Sequence, residues 1–346
     1  MKVVTVGSAT LDIIANIADD DIERMTLHNQ TTSFLLMEPG RKVDAQSVTT
    51  HVGGGAVNAA VTLSRQGFDV ATLVKVGADV NAEKVRERLR EESISTDHIK
   101  VHEHESTAVS LLIASHDRNA AIFTHRGANG FLSIDDLEPD PFEGAGLVFI
   151  SNLSNASADL FPAIAEKAKS AGAFVAANPG IRQLTRKTNP FFDSLKFTDL
   201  VISNIAEARA LVPKLVERTG WTGRPHAPSQ NGEPVLSIEG FQLSVSEYMA
   251  RLHGLGPRYV GMTDGGKGAY LSVAGDLSHV PAEPVEVIGT TGAGDAFAAT
   301  LSGALAGGLA AAEALSAASR NAGSVVGFTD AQSGLLTADK LFEIHD

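Results

Sequence analysis

Two hydrophobic rhythms alternate along this chain. Short runs at residues 3–6, 71–76, 147–150, 173–177, 200–202 and 259–262 are apolar at nearly every position. Strands that are apolar on both faces belong between two layers, as in a parallel sheet. Residues 57–66, 82–92 and 158–170 instead carry apolar positions three and four apart, which gives a helix one buried stripe. Gly67 and Gly172 stand where two of these helices would stop. Strand and helix in alternation predict an α/β fold, a doubly wound and mostly parallel central sheet with helices on both faces.

Two stretches break the rhythm. TSFLLMEP and VDAQSVTTHV, within residues 13–51, read as antiparallel strands. TAVSLLIA (107–114), the turn HDRN (116–119) and AIFTHR (121–126) read as a hairpin. Together they predict a small antiparallel β-lid, built from about 13–51 and 101–126, on one domain spanning 1–346. Residues 219–234 are rich in Gly, Pro and polar residues and read as a mobile loop, within a stretch, 213–240, longer than a simple connection needs.

Composition narrows the partners. The 346 residues are 43% hydrophobic and 20% charged, the balance of a compact globular protein. With 28 basic against 41 acidic residues the net charge is −13, which argues against nucleic acid and against an anionic membrane surface. A local site can still oppose the global charge and hold a phosphate-bearing small molecule. The absence of cysteine excludes thiolate catalysis and zinc–thiolate sites. MKVVTVGSATLDIIAN reads as a first strand rather than a signal peptide, and the apolar run 304–312 is too short to cross a bilayer. A cytoplasmic protein is therefore expected.

Candidate chemistry concentrates in small-residue turns. TTGAGDAF (290–297) leads into an Ala-rich helix. The free amides and positive dipole of a helix start suit an anion, and Gly292, Ala293 and Gly294 let backbone approach a phosphate closely. Asp295, a carboxylate beside that anion site, makes sense as a base on an attacking hydroxyl, though the motif taken alone reads first as an ordinary helix N-terminus with an N-terminal charge or cap. HVGGGAVNAA (51–60) is a second glycine run opening a helix, with Asn58 one turn in, and a tight strand–helix turn is its plain alternative. In SNIAE (203–207), Asn204 and Glu207 fall on one face of a first helical turn, placed either to hold hydrated Mg²⁺ or to form a capping box. TDGGKGA (263–269) closes a strand with a turn that suits a nucleotide or a plain hairpin. His102-Glu103-His104-Glu105 has no third metal ligand nearby and reads as a solvated lid edge, and His125-Arg126-Gly127-Ala128-Asn129 as a hinge. Four such turns at the carboxyl ends of strands in one α/β sheet point to a ligand site.

Taken together, these residues resemble the ribokinase-like (PfkB-type) carbohydrate kinase family. GGGAVNAA is similar to its N-terminal glycine signature, TTGAGDAF to its C-terminal one, SNIAE to its Asn-x-x-Glu element and TDGGKGA to its Thr-x-Gly nucleotide turn, in the family's order and over nearly the whole chain. The resemblance implies a kinase that uses ATP and Mg²⁺ to phosphorylate a hydroxymethyl group of a sugar or sugar acid. Asp295 would be the catalytic base, and the amides of Gly292, Ala293 and Gly294 the anion hole. Asn204 would organise the phosphates and Glu207 the metal, while Thr263 and Gly265 would line the nucleotide site. Asp12, matching the family's first-strand aspartate, would bind substrate hydroxyls with Gly54 and Asn58. Asn178 would lie near the phosphates, with Arg182 either reaching the transferring phosphate or remaining at the surface. The lid would cover the sugar and form a homodimer contact.

The chain also departs from the pattern. Gly289 stands where many members carry an aspartate of a monovalent-cation site, so K⁺ activation is open between absence and a site of backbone carbonyls in GFTDAQSG (327–334). ISNLSN (150–155) lacks the glutamate that ribokinases place near the sugar, which lowers the case for ribose. A nucleoside is the alternative acceptor, with Phe34 and Phe123 of the lid available to stack. A non-catalytic sugar-binding regulator would have no use for Asp295, and a nicotinamide dehydrogenase would need a G-x-G-x-x-G turn that VGSATLD lacks.

Overall fold

The computed structural model describes residues 1–18, 23–26, 33–36, 40–114, 120–220, 233–238 and 240–341. Its centre is a nine-stranded sheet. In spatial order the strands are Asp276–Val280, Ala269–Val273, Tyr259–Thr263, Leu200–Asn204, Phe174–Ala177, Leu147–Ile150, Lys2–Gly7, Asp69–Gly77 and Ile99–His102. The pairings from Tyr259–Thr263 through Ile99–His102 are parallel, and the two strands at the other edge are antiparallel. From Lys2–Gly7 the chain winds first toward one edge, then returns to Leu147–Ile150 on the other side and winds outward again. That reversal leaves a crevice at the carboxyl ends of these two strands, where open α/β sheets bind ligands.

Alternate residues of each strand feed separate cores. Val4, Val6, Val148 and Ile150 pack with the helices Phe161–Ser170, Ile205–Thr219 and Val245–His253. Val3, Leu147, Phe149 and Ile202 face the helices Gly55–Arg65, Val80–Glu91, Ala293–Ala306 and Ala311–Val325. This two-sided burial explains why the runs are apolar throughout. The helix Phe161–Ser170 starts later than its apolar pattern suggests. Pro162 occupies its first turn, where no intrahelical N–H is needed, and a 3₁₀ turn, Asn155–Leu160, precedes it.

A second sheet contains Ala45–Gly53, Thr10–Ile17, Ala108–Ala114 and Ala120–His125, in that order. Its outer pairings are antiparallel, while Thr10–Ile17 and Ala108–Ala114 run parallel. The boundaries differ from expectation in three places. Ile99–His102 joins the central sheet, so residues 101–102 are not part of the lid. Ser33–Leu36 pairs with Glu23–Thr26 in a separate ribbon. Residues 213–219 are helical, because Pro213 is accommodated inside Ile205–Thr219. The turn 116–119 and most of 219–234 lie outside the described residues. Among the described residues, no helix is long and apolar enough to cross a membrane.

Candidate active site

The site is assembled from helix starts and strand ends. Ser8, just beyond Lys2–Gly7, secures the first helix: its Oγ accepts from the Gly55 amide at 3.0 Å and its carbonyl from the Ala56 amide at 3.2 Å. The same hydroxyl donates to Asn152 Oδ1 at 3.2 Å, tying two strand ends together. Asn129 exchanges hydrogen bonds with both backbone groups of Ala9 at 2.9 and 3.1 Å, so the end of the lid is pinned to the connection that leads into the strand carrying Asp12.

The second helix, Ala293–Ala306, opens at Gly292 with no side-chain cap, so its first amides remain available. Gly292 adopts φ 83°, and a Cβ there would meet Ala331 Cα at 2.6 Å. Only glycine fits such a position. Asp295 lies in the first turn and accepts from Asn58 Nδ2 at 2.8 Å. Burial raises the Asp295 pKa, and the Asn58 bond opposes that rise.

The orientation of Asn58 is itself held. Gln332 Nε2 donates to Asn58 Oδ1 at 3.0 Å and to the Val52 carbonyl at 2.8 Å, while Arg88 Nε donates to Gln332 Oε1 at 2.9 Å. With its oxygen engaged, the amide must present its NH₂ to Asp295. Sequence reasoning missed Gln332. Its only local signal is a polar residue in GFTDAQSG, a segment singled out there for a cation.

Asp295 stands between two cavities. The first, about 330 Å³, is lined by Asp12, Gly54, Asn58, Glu207, Gly292 and Asp295 together with lid residues Ser110, Leu112, Ile122 and Thr124. The second, about 210 Å³, is lined by Asn178, Asn204, Glu207, Thr263, Gly292, Gly294 and Asp295. Among the anticipated residues, Ala293, the first residue of its helix, and Gly265, in the 3₁₀ turn Gly265–Lys267 beyond Thr263, line neither cavity, and Arg182 lines a third. Asp12 belongs to the second strand, Thr10–Ile17, not the first. Its register opposite His51 and Ser110 puts it on the lid face that looks into the cavity. Burial pushes Asp12 up to about 6, with Ser110 opposing and the Asp295 charge adding.

Asn204 and Glu207 form the full capping box, each side chain accepting from the other's amide at 2.9 Å. The cap does not exhaust Glu207, since only Oε2 is used. Burial, reinforced by Asp295, pushes this carboxyl up to about 7 against the Asn204 amide bond. Among the described residues, no cluster of three or more metal-ligating side chains occurs, and His102 Nδ1 instead accepts from the amides of His104 and Glu105. Gly289 packs against 327–334, where a Cβ would meet the Phe328 carbonyl oxygen at 2.6 Å.

Comparison with known proteins matches the chain to a family. The sequence profile of the pfkB family carbohydrate kinase covers residues 2–338. A fructokinase from Klebsiella pneumoniae is 29% identical over 261 residues, 73% of this chain and 76% of that protein. Among solved structures, the Methanocaldococcus jannaschii nucleoside kinase, described as an archaeal member of the ribokinase family, superposes with a TM-score of 0.74 at 21% identity, covering 98% of this chain and 96% of its own. The Arabidopsis thaliana ribokinase complexed with ribose and ATP gives 0.73 at 23% identity, with 99% of each chain covered.

Proposed function

Because the chain belongs to the pfkB family of carbohydrate kinases, we propose that it transfers the γ-phosphoryl group of ATP to a hydroxymethyl group of a sugar or sugar acid, with Asp295 as the base. The observation that carries this reading is the position of Asp295 on the partition between the two cavities, beside an uncapped helix start. A hydroxyl bound by Asp12 and Asn58 approaches Asp295 from one side, and a phosphoryl group approaches from the other. As the hydroxyl attacks, Asp295 takes its proton. The amides of Gly292, Ala293 and Gly294 face the charge that builds on the transferring oxygens. A base with a raised pKa is well matched to this task near neutral pH.

Asn204 and Thr263 line the nucleotide side, with Gly265 in the turn beyond. The residues there fit Mg²⁺. Glu207 has a carboxylate oxygen outside its cap, and its charged form is held back by burial and Asp295, a penalty that a cation relieves. Mg²⁺ bound there would neutralise phosphate charge during transfer. Any K⁺ site rests on backbone carbonyls of 327–334, since position 289 has no room for a carboxylate.

A nucleoside acceptor is the second reading, favoured by the apolar wall that Leu112 and Ile122 give the acceptor cavity. Phe123 points with Leu111 to the opposite lid face and is 55% exposed, while the Phe34 side chain lies outside the described residues. That outer face, with Val48 62% exposed, is the surface through which a homodimer would form.

The test is ADP release from MgATP with ribose, fructose, ketodeoxygluconate and adenosine, with and without KCl. One acceptor should stimulate turnover, and Asp295→Asn should lower kcat by about 10²-fold or more. Full activity in Asp295→Asn would remove the base from the mechanism.

A further inference from the structure

A third cavity, about 490 Å³, adjoins the acceptor cavity and shares Arg126, Asn152, Gly180 and Glu207 with it. Its remaining wall includes Arg182, Gln183, Arg186 and Lys187. Of its cations, only Lys187 is neutralised, by Asp159 at 2.7 Å. Among the described residues no carboxylate lies within ion-pairing distance of Arg126, Arg182 or Arg186. In a chain with a net charge of −13, unpaired arginines gathered at one cavity are conspicuous.

Arg126 is the most constrained of them. It is half-buried at the mouth between the two cavities, and Ser154 Oγ accepts from its Nη1 at 2.9 Å. Its pKa is lowered by burial and then by the Arg182 charge, so the two guanidiniums that line this cavity repel each other. Glu207, on the shared wall, makes no ion pair with any of the three arginines and instead caps its own helix through the Asn204 amide. A second sign of an absent acceptor is Gln183. It is 2% exposed, its Oε1 accepts from the Leu153 amide, and its buried Nε2 has no acceptor. Buried donors without partners are uncommon, and here one coincides with uncompensated positive charge.

We infer that this cavity is an anion subsite: the acceptor carries a carboxylate or phosphate, remote from the hydroxyl that is phosphorylated, which docks against Arg126 and Arg182. The inference rests on the kinase reading for the direction of the acceptor, whose reactive hydroxyl lies at Asp295 and whose charged end lies past Arg126. It selects within the acceptor class, against neutral sugars and neutral nucleosides. Planar guanidiniums with fixed donors are suited to recognising either anion in two-point fashion.

Two measurements on the full chain test it. Calorimetric binding without ATP compares ribose, ribose bearing a phosphate on its anomeric oxygen, fructose and ketodeoxygluconate. ADP release from MgATP is then followed with the same four. One anionic acceptor should bind at least about tenfold tighter than the neutral sugars, and whether it is the phosphate or the carboxylate identifies the source of the charge. Arg182→Gln is exposed and so keeps the fold. It should reduce the anionic-to-neutral ratio of kcat/KM about tenfold, and Arg126→Gln should reduce it further. Equal binding of neutral and anionic acceptors, or no binding by either, overturns the subsite. A rise in the KM for ATP, equal for all acceptors, also overturns it, by assigning the arginines to the transferring phosphate. Anion-selective binding without turnover would leave the subsite standing and remove the kinase reading instead.

Discussion

Replacing Glu207 by Gln should stabilise the ligand-free protein at high pH and not at low pH. In the fold this carboxyl is pushed from an ordinary 4.5 to about 7, by burial first and by Asp295 among the other causes. A folded pKa above the unfolded one means the native state holds its proton more tightly. The resulting penalty is absent below about 4.5, grows as pH rises toward 7, and is complete above that. At about 1.36 kcal/mol for each tenfold in proton affinity, ionising Glu207 costs the fold up to about 3 kcal/mol. Partial solvent access reduces this, so about 1–3 kcal/mol is the expected gain at pH 8. Gln preserves the cap, because its amide oxygen can still accept from the Asn204 amide. Urea denaturation at pH 5 and pH 8, with chelator to remove Mg²⁺, measures the effect. Added Mg²⁺ should then stabilise the natural protein more than the variant. Equal shifts at both pH values, or a loss at pH 8, would refute the argument that the charge of Glu207 is held in an unfavourable place.

Other consequences follow from the same geometry. Asp12 at about 6, Glu207 at about 7 and the raised Asp295 must all lose protons for the proposed roles, so kcat/KM should rise with pH from about 5 to 8. A profile flat between pH 5 and 8 would contradict this. Asn58→Leu removes the bond that opposes the rise of the Asp295 pKa, and the acidic limb should move upward. Gln332→Ala, which frees the Asn58 amide to rotate, should move it in the same direction by less. Gly292→Ala should cost at least about 1–3 kcal/mol in urea denaturation, because it combines a left-handed φ with overlap on Ala331.

Much of the fold was legible because the causes are local. Val3 and Val4 face different cores, so the strand had to be apolar throughout, and that pattern is visible without coordinates. Asn204 and Glu207 satisfy each other within one helical turn, which made the capping reading visible as well. Ile99–His102 escaped notice because it is a short edge strand in which only Ile99 is fully buried, and its mix of apolar and polar residues resembles a lid strand. The parallel pairing of Thr10–Ile17 with Ala108–Ala114 left no local mark, since it joins segments distant along the chain.

The sequence by itself determined the layered α/β architecture and the turns that carry the chemistry, because burial and capping are set by neighbours a few residues away. Only the tertiary structure decided how those turns cooperate. Asp295 separates two cavities, Gln332 orients Asn58 toward it, and Arg126 and Arg182 line one cavity with no ion-pairing carboxylate among the described residues. Each of these depends on which strand ends the sheet brings together. Hydrogen bonds and charge repulsion act through space, so their partners cannot be read from spacing along the chain.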